Sequence, residues 1–91
     1  MAKVKIFGPL VQLAKGNKEV EVRGLSLKEI LEELSSKFGS SFRERILNEK
    51  DELQSFIRIF INDKDVRFLG GLNAKVKDDD VILLLPAIGG G

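Results

Sequence analysis

The sequence predicts an α+β fold in which a mixed sheet of about five strands packs against one main helix and a short second helix. Several segments carry apolar residues at every second position, as half-buried strands do, whereas residues 27–38 repeat apolar residues at helical spacing. The strand segments lie on both sides of this helix in the chain, with no internal repeat and no linker. The 91 residues therefore form one domain, 1–91, with a flexible glycine-rich tail at 87–91.

The N-terminal region is expected to form a hairpin with a long loop. Residues 3–7 alternate with period two and stop at Gly8-Pro9, a pair that cannot continue a central strand. Residues 10–14 indicate a short helical turn, and residues 19–23 place valines on one face and charges on the other. This second strand is typical of a half-buried strand near the edge of a sheet.

Two helices are expected next. Ser26 can accept a hydrogen bond from the helix amides while Glu29 reaches back, which is a capping box at the start of the main helix. Gly39 then ends that helix in the favoured way. Residues 41–44 repeat the capping signal for the short second helix, with Ser41 as its cap. The side chains expected to pack this second helix are Phe42, Ile46 and Leu47.

The C-terminal region predicts three strands joined by reversals. Residues 56–61 are β-branched and aromatic, and they lead into a polar turn at 62–65 whose Asn and Asp tolerate left-handed geometry. Residues 66–68 are expected to return as a short strand, and Gly70-Gly71 makes another reversal. The aliphatic run 81–85 is the final strand.

Alternation along the strands divides the apolar side chains between two faces of the sheet. The face covered by the helices takes Val4, Ile6, Ile57, Ile59, Ile61, Ile82 and Leu84. The opposite face takes Phe7, Phe56, Phe60, Val81, Leu83 and Leu85. Two helices cannot cover both faces, and an uncovered apolar patch usually marks a site for a partner. Two alternatives compete with this interpretation: the loop at 63–76 folds over part of the patch, or a central strand is simply buried on both sides.

The composition excludes several classes of function. Fifteen basic and fourteen acidic residues are interspersed and give a net charge of +1, which argues against nucleic acid and against an anionic membrane surface as partners. The chain has no Cys and no His, so it cannot form a disulfide, the usual zinc site or a Ser-His or Cys-His catalytic pair. No apolar run is long enough to span a bilayer, and the N-terminus lacks the pattern of a signal peptide, which predicts a cytoplasmic protein.

Two further features have simple structural interpretations. The acidic run at 78–80 could be imagined to bind Mg²⁺ or Ca²⁺, but three adjacent side chains cannot point the same way in a strand, so a solvated turn is favoured. The serines have no base partner and lie in no G-x-S-x-G turn, which makes them structural. We therefore expect neither a metal nor a cofactor.

The glycines at 89–91 are the best candidates for a chemical role. They come after the final strand and Pro86, without a polar linker. Because glycine has no Cβ, such a tail fits a slot too narrow for side chains and presents its α-carboxylate to another protein's active site. A phosphate-binding loop is excluded because no helix follows these glycines. The alternative is a frayed chain end without a function.

Three segments carry a resemblance to a known family: the opening 3–10, the turn at 60–63 and, above all, the ending 79–91. They resemble the ubiquitin-like sulfur carriers of the MoaD and ThiS type, most nearly the small subunit of molybdopterin synthase, and the resemblance spans the chain. The most specific element of that family is a strand followed by Pro-Pro-Val-x-Gly-Gly. In this sequence the second Pro is Ala87, the Val is Ile88, and the variable position is Gly89.

The resemblance implies a ubiquitin-like β-grasp fold and a defined chemistry. An ATP-dependent adenylating enzyme of the ubiquitin-activating type would adenylate the carboxylate of Gly91, and sulfur would then replace the AMP. The thiocarboxylate would give its sulfur to a pterin precursor inside the large subunit of molybdopterin synthase, on the way to the molybdenum or tungsten cofactor. The chain itself would carry sulfur without supplying catalytic groups. Gly89 and Gly90 would complete the tail, and the partner-binding residues would be Phe7, Phe60, Leu83, Leu85, Pro86 and Ile88.

Other functions share this fold and the Gly-Gly ending. Thiamine-pathway sulfur carriers, tungsten-pterin homologues and archaeal protein modifiers all belong to this group. The main alternative is a ubiquitin-like modifier that is attached through Gly91 to lysines of target proteins. A plain interaction module with an inert tail is a third interpretation.

Overall fold

One mixed sheet of five strands forms the framework of the computed structural model, which describes residues 1–86. The strands are β1 (Ala2–Ile6), β2 (Glu19–Val22), β3 (Ile57–Ile61), β4 (Lys64–Asp65) and β5 (Val81–Pro86). Their order across the sheet is β2-β1-β5-β3-β4, with β1 parallel to β5 and the other neighbours antiparallel. The predicted hairpin of β1 and β2 is confirmed, and β2 lies at an edge as expected. The tail predicted at 87–91 lies outside the described residues.

The helices follow the predicted order. They are α1 (Leu10–Leu13), α2 (Leu27–Phe38) and α3 (Ser40–Ile46). Ser26 caps α2 as predicted, since its Oγ accepts a hydrogen bond from the Glu29 N–H at 3.2 Å. Glu29 also reaches back, but its carboxylate accepts the N–H of Leu25 at 2.9 Å, one residue before the cap. Gly39 ends α2 with φ of +98°, a conformation that a Cβ disfavours. None of the described helices is long and apolar enough to cross a membrane.

The core lies between the sheet and the helices. The seven strand residues predicted for the helix-covered face are all buried, with at most 7% of their surface exposed, so the predicted helix-covered face is confirmed. Phe56, predicted for the opposite face, lies instead in the exposed turn before β3. Phe38 of α2 and Phe42 of α3 join the two helices, with ring centroids 5.3 Å apart and ring planes tilted by 59°. The helical side chains in this core are Leu27, Ile30, Leu31, Leu34, Phe38, Phe42 and Ile46.

The loop after β4 closes one end of the same core. Its buried side chains, Val66, Ala74 and Val76, belong to the cluster that also holds the helix-facing strand residues. The loop is tied to the start of α2, since Ala74 O accepts a hydrogen bond from the Leu27 N–H at 2.9 Å and Leu25 O accepts one from the Val76 N–H at 3.0 Å. These buried side chains therefore belong to the core on the helix-covered side of the sheet.

Two local predictions are wrong. The predicted strand at residues 66–68 does not form: a tight reversal at 62–63, with φ of +49° and +71°, leaves only β4 to pair with β3 before the chain enters the 3-10 helix Val66–Phe68. The Asp65 carboxylate favours this turn because it accepts the Arg67 N–H at 2.9 Å. Ser41 is not a cap, because α3 already begins one residue earlier, directly after the glycine that ends α2.

Asp80 departs from the solvated turn predicted for the acidic run. It is only 8% exposed; its Oδ1 accepts a hydrogen bond from Asn62 Nδ2 at 2.8 Å, and its Oδ2 accepts one from the Lys77 N–H at 2.8 Å. Asp80 therefore ties the β3–β4 reversal to the start of β5, while Asp78 and Asp79 are exposed as predicted. Within residues 1–86 no three acidic side chains lie close enough together to hold a metal ion.

Candidate functional site

The candidate functional site is the face of the sheet that the helices leave uncovered, which we call the open face. Alternate residues of the central strand β5 point to this side and are half-buried, whereas the intervening residues are fully buried in the core. Phe60 of β3 is paired with Leu83 of β5 and is also half-buried. These side chains form a continuous apolar surface along the middle of the sheet. This apolar ridge consists of Phe60, Val81, Leu83 and Leu85.

Cationic side chains border the apolar ridge on both sides. Lys3 and Lys5 project from β1 beside the ridge, and Arg58 of β3 is paired with Leu85. The side chain of Lys3 forms an ion pair with Glu19 of β2. Lys3 Nζ and Glu19 Oε2 are 3.7 Å apart, and both side chains are about half exposed. Lys5 and Arg58 lie nearest the end of β5. This arrangement suits a partner whose contact surface is apolar at its centre and acidic at its rim.

A cluster of one acid and two arginines forms the β4 edge of the open face. Arg67 donates from Nη2 to the Asp65 carboxylate at 2.7 Å, and Arg58 Nη1 lies 3.9 Å from the same oxygen. The hydrogen bonds from Arg67 lower the pKa of Asp65, and the same contact raises the pKa of Arg67. The Asp65 side chain is 12% exposed, against 46% and 57% for the two arginines. Solvent at this edge therefore meets mainly the cations.

The end of β5 is held by a hydrogen bond on one side and by strand pairing on the other. The Phe7 N–H donates to Leu84 O at 3.1 Å, which continues the pairing of β1 with β5 beyond the last residue of β1. On the other side, Pro86 is paired with Ile57 of β3. Phe7 is 40% exposed and Pro86 is half-buried, so both are accessible where the described part of the chain ends.

The structure brings together most of the residues that the sequence predicted for a partner site. Phe7, Phe60, Leu83, Leu85 and Pro86 lie on the open face or at the end of its central strand. The other predicted site residues, Ile88, Gly89, Gly90 and Gly91, lie outside the described residues.

The charged residues of the open face were not predicted from the sequence. Arg58 could have been found, because it stands two positions before Phe60 and so shares its face. The roles of Asp65 and Arg67 depend on the pairing of β4 with β3 and on the 3-10 turn, and no local pattern predicted either.

The topology defines the class of protein. A mixed sheet with two parallel central strands, crossed on one face by a main helix, is the ubiquitin-like β-grasp fold that the resemblance implied. Residues 4–91 match the ThiS family, and the chain belongs to it. It is a ubiquitin-like sulfur carrier of the ThiS and MoaD type.

Individual relatives agree with this assignment. The chain is 36% identical over 78 residues to the sulfur carrier protein CysO of Mycobacterium tuberculosis, which covers 84% of this chain and 83% of the relative. Among solved structures, a chain of the Amycolatopsis orientalis BexX/CysO complex superposes with a TM-score of 0.88 and 37% identity, covering 100% of both chains. The small archaeal modifier protein 1 of Methanosarcina acetivorans superposes with a TM-score of 0.86 and 33% identity, covering 99% of this chain and 95% of the other.

Proposed function

We propose that this protein carries sulfur as a thiocarboxylate on Gly91 and delivers it to a partner enzyme that docks on the open face. The observation that carries the proposal is the apolar ridge, which follows β5 to Pro86, the residue from which the glycine tail continues in sequence. A partner seated on the ridge would receive the tail in its own active site. The similarity to a CysO chain solved in complex with BexX supports a carrier that works by docking on another protein.

The chemistry requires activation of the tail carboxylate. An α-carboxyl group has a reference pKa of about 3.3 to 3.7, so it is ionised at neutral pH and is a poor electrophile. A carboxylate oxygen of Gly91 attacks the α-phosphorus of ATP and releases pyrophosphate, which gives the acyl adenylate. Sulfide supplied by a sulfur donor then attacks the acyl carbon and expels AMP, which leaves the thiocarboxylate. With no Cys and no His, the chain leaves thiol and imidazole chemistry to its partners.

The acceptor of the sulfur is proposed from the resemblance to the known family. The resemblance implies a pterin precursor held by the large subunit of molybdopterin synthase, with a ubiquitin-activating-type enzyme as the adenylating partner. A thiamine-pathway acceptor would use the same thiocarboxylate. Because activation consumes ATP, we place the reaction in the cytoplasm.

A second candidate function is protein modification. It is favoured by the similarity to the small archaeal modifier protein 1 of Methanosarcina acetivorans, at 33% identity across nearly the whole chain. In this case a lysine amine of a target protein, rather than sulfide, would attack the adenylate or a thioester derived from it. Both functions use the same activated carboxylate on Gly91, so the product formed decides between them.

Intact-mass spectrometry tests the sulfur-carrier function. The protein is incubated with ATP, a sulfide source and its cognate adenylating enzyme, and we expect the mass of one oxygen-to-sulfur exchange on Gly91. A reaction without ATP is the control. The absence of cysteine in the chain removes persulfides as a competing explanation. An unchanged mass with a demonstrably active enzyme contradicts the proposal, and a ladder of lysine-linked conjugates in its place supports protein modification.

The acceptor is tested with the loaded protein. Addition of a molybdopterin synthase large subunit and its pterin precursor should remove the added sulfur from the carrier. Retention of the thiocarboxylate under these conditions, with release to a thiamine-pathway acceptor, would assign the other pathway.

A further inference from the structure

Gly8 makes an unusually close approach to the last described residue of β5. Its φ is +61°, and a Cβ placed on it would lie 3.1 Å from Cγ of Pro86 and 3.5 Å from Cδ. A separation of 3.1 Å is tighter than nine in ten Cβ contacts, so a side chain here would require the neighbouring Pro86 ring to give way by a few tenths of an ångström. Glycine is therefore required at this position for its conformation and also for the space that it leaves.

The turn that contains Gly8 is held in place by its neighbours. The Phe7 N–H is bonded to Leu84 O at 3.1 Å, and Gly8 O accepts the Val11 N–H at 3.1 Å. These bonds tie Phe7 to β5 and Gly8 itself to the first turn of α1. Because the turn is fixed, a new side chain on it would displace Pro86 rather than the turn.

Contact with a proline ring is contact with the backbone. The pyrrolidine ring includes the backbone nitrogen and Cα, and its closure fixes φ at about −65°, so a shift of the whole ring also shifts the peptide that follows it. The residue before a proline, here Leu85, is confined to extended conformations by the same ring. Pro86 is also paired with Ile57 on its other side. The turn at Gly8 and strand β3 together thus define how the chain leaves the sheet.

We propose that Gly8 is a positioning residue for sulfur loading: its missing side chain seats the ring of Pro86 and so aims the glycine tail at the partner's active site. This inference rests on the proposed function. The proline ring sets the direction of the peptide that follows it, so the contact acts on the point where the tail leaves the folded domain. The apolar ridge supplies docking energy, and the contact between Gly8 and Pro86 supplies orientation.

The chain contains a matched control for the substitution that tests this role. Gly71 has φ of +60°, almost the same as Gly8, but a Cβ placed on it has no described atom within 4 Å. Gly71→Ala therefore imposes the same backbone strain as Gly8→Ala without the contact to Pro86. Both substitutions should lower the thermal midpoint, and the difference between them reports the contact.

The decisive readout is the rate of sulfur loading by the adenylating enzyme, measured at a temperature where both variants are folded. We expect Gly8→Ala to lower kcat by roughly tenfold, because small misplacements of a reacting group have large effects on rate. KM should change little, since the apolar ridge is intact, and Gly71→Ala should load like the unmodified protein. Equal rates for Gly8→Ala and Gly71→Ala would overturn the proposal, as would a defect confined to KM.

A double substitution tests the contact itself. In a Pro86→Ala background the ring is absent, so Gly8→Ala should have no further effect on the loading rate, whereas two independent effects would multiply and overturn the proposal. If Gly8→Ala fails to fold, Pro86→Ala alone decides, with a lowered kcat expected and an unchanged kcat contradicting the role of the ring.

A measurement that needs no partner separates this inference from the proposed function. If the unmodified protein takes up no sulfur, the proposed function fails. The amide spectrum of residues 87–91 then tests directly whether Gly8 influences the chain beyond Pro86. Gly8→Ala should shift the resonances of Ala87 and Ile88, and Gly71→Ala should not. Identical Ala87 and Ile88 resonances in the two variants would overturn the role of Gly8.

Discussion

Asp65 is the residue at which the apolar and the charged parts of the site meet. It is paired with Phe60 of the apolar ridge, caps the following turn through the Arg67 N–H, and pairs with two guanidinium groups. One largely covered carboxylate thus fixes two cations, Arg58 and Arg67, at the edge of the open face. Loss of this carboxylate would leave both arginines free to adopt other rotamers and would blur the charge pattern offered to a partner.

The pKa of Asp65 predicts a pH effect on stability. Hydrogen bonds from the Arg67 side chain lower that pKa in the folded state, so the stabilisation is complete above the unfolded value of about 3.9 and is lost as the pH falls through the folded value. The effect should stay below about 1 kcal/mol, because the arginine partners are solvent-exposed and screened. We expect Asp65→Asn to lower the free energy of unfolding at neutral pH and to flatten its decline below about pH 4.

Denaturant unfolding at several pH values measures this effect. Asp79→Asn, at an exposed position in the turn before β5, is the control for the loss of one negative charge. An acid decline in Asp65→Asn as steep as in the unmodified protein would show that the arginine cluster contributes nothing to the pH dependence.

Alternate residues of β5 contribute to two different surfaces of the sheet. Ile82 and Leu84 are fully buried between the sheet and the helices, whereas Leu83 and Leu85 are half-buried on the open face. The strand lies at the centre of the sheet, with β1 on one side and β3 on the other. It therefore links the core of the domain to the surface on which we propose that partners dock.

Adjacent leucines of β5 provide a test of this division. We expect Leu84→Ala to lower the free energy of unfolding by about 2 to 5 kcal/mol, since it leaves a cavity in the core. Leu83→Ala should cost the fold only about 1 kcal/mol but should weaken binding to the adenylating enzyme by about 2 kcal/mol if Leu83 is a central anchor. Calorimetric binding and thermal unfolding of the two variants measure both quantities.

Two phenylalanines extend this test. Phe60→Ala and Phe7→Ala should behave like Leu83→Ala, because both side chains are accessible at the open face or at its end. Unfolding of the domain by either substitution would show that the side chain belongs to the core. Unchanged binding by all three variants would show that the open face is not the docking surface.

The sequence predicted those elements whose signal is local. Alternation placed Val4, Ile59 and Leu84 in the core, and the pattern at Ser26 and Glu29 located the start of α2, because each depends only on neighbouring residues. The prediction of a strand at residues 66–68 was wrong. The β-branched and aromatic residues there favour a strand, but Asp65 caps a 3-10 helix at this point and turns the chain.

Features that depend on distant residues were beyond sequence reasoning. The burial of Asp80 requires a donor from Asn62, eighteen positions earlier in the chain. The close approach of Gly8 to Pro86 brings together residues near opposite ends of the described chain. Both follow from the order of strands in the sheet, which alternation alone does not determine.

The proposed function separates binding from chemistry in this chain. The described residues form a β-grasp domain with one hydrophobic core and an uncovered apolar ridge. The sequence holds no thiol and no imidazole, so its proposed reactive group is a backbone carboxylate. Under the proposed function, such a protein is a substrate of its partners, and we expect the described fold to select which partners dock.

This separation predicts that removal of Gly90 and Gly91 abolishes sulfur loading and leaves the fold intact. The buried residues described by the structure lie between Ala2 and Leu84, so the deletion removes no side chain from that core. The thermal midpoint and the affinity for the adenylating enzyme through the apolar ridge should therefore stay close to those of the full chain, while no thiocarboxylate forms. Replacement of Gly90 by Val should act similarly, since a branched Cβ would not fit a narrow channel. Thermal unfolding, binding and intact mass are measured on the same samples, and sulfur loading by the shortened chain would show that Gly91 is not the carrier of sulfur.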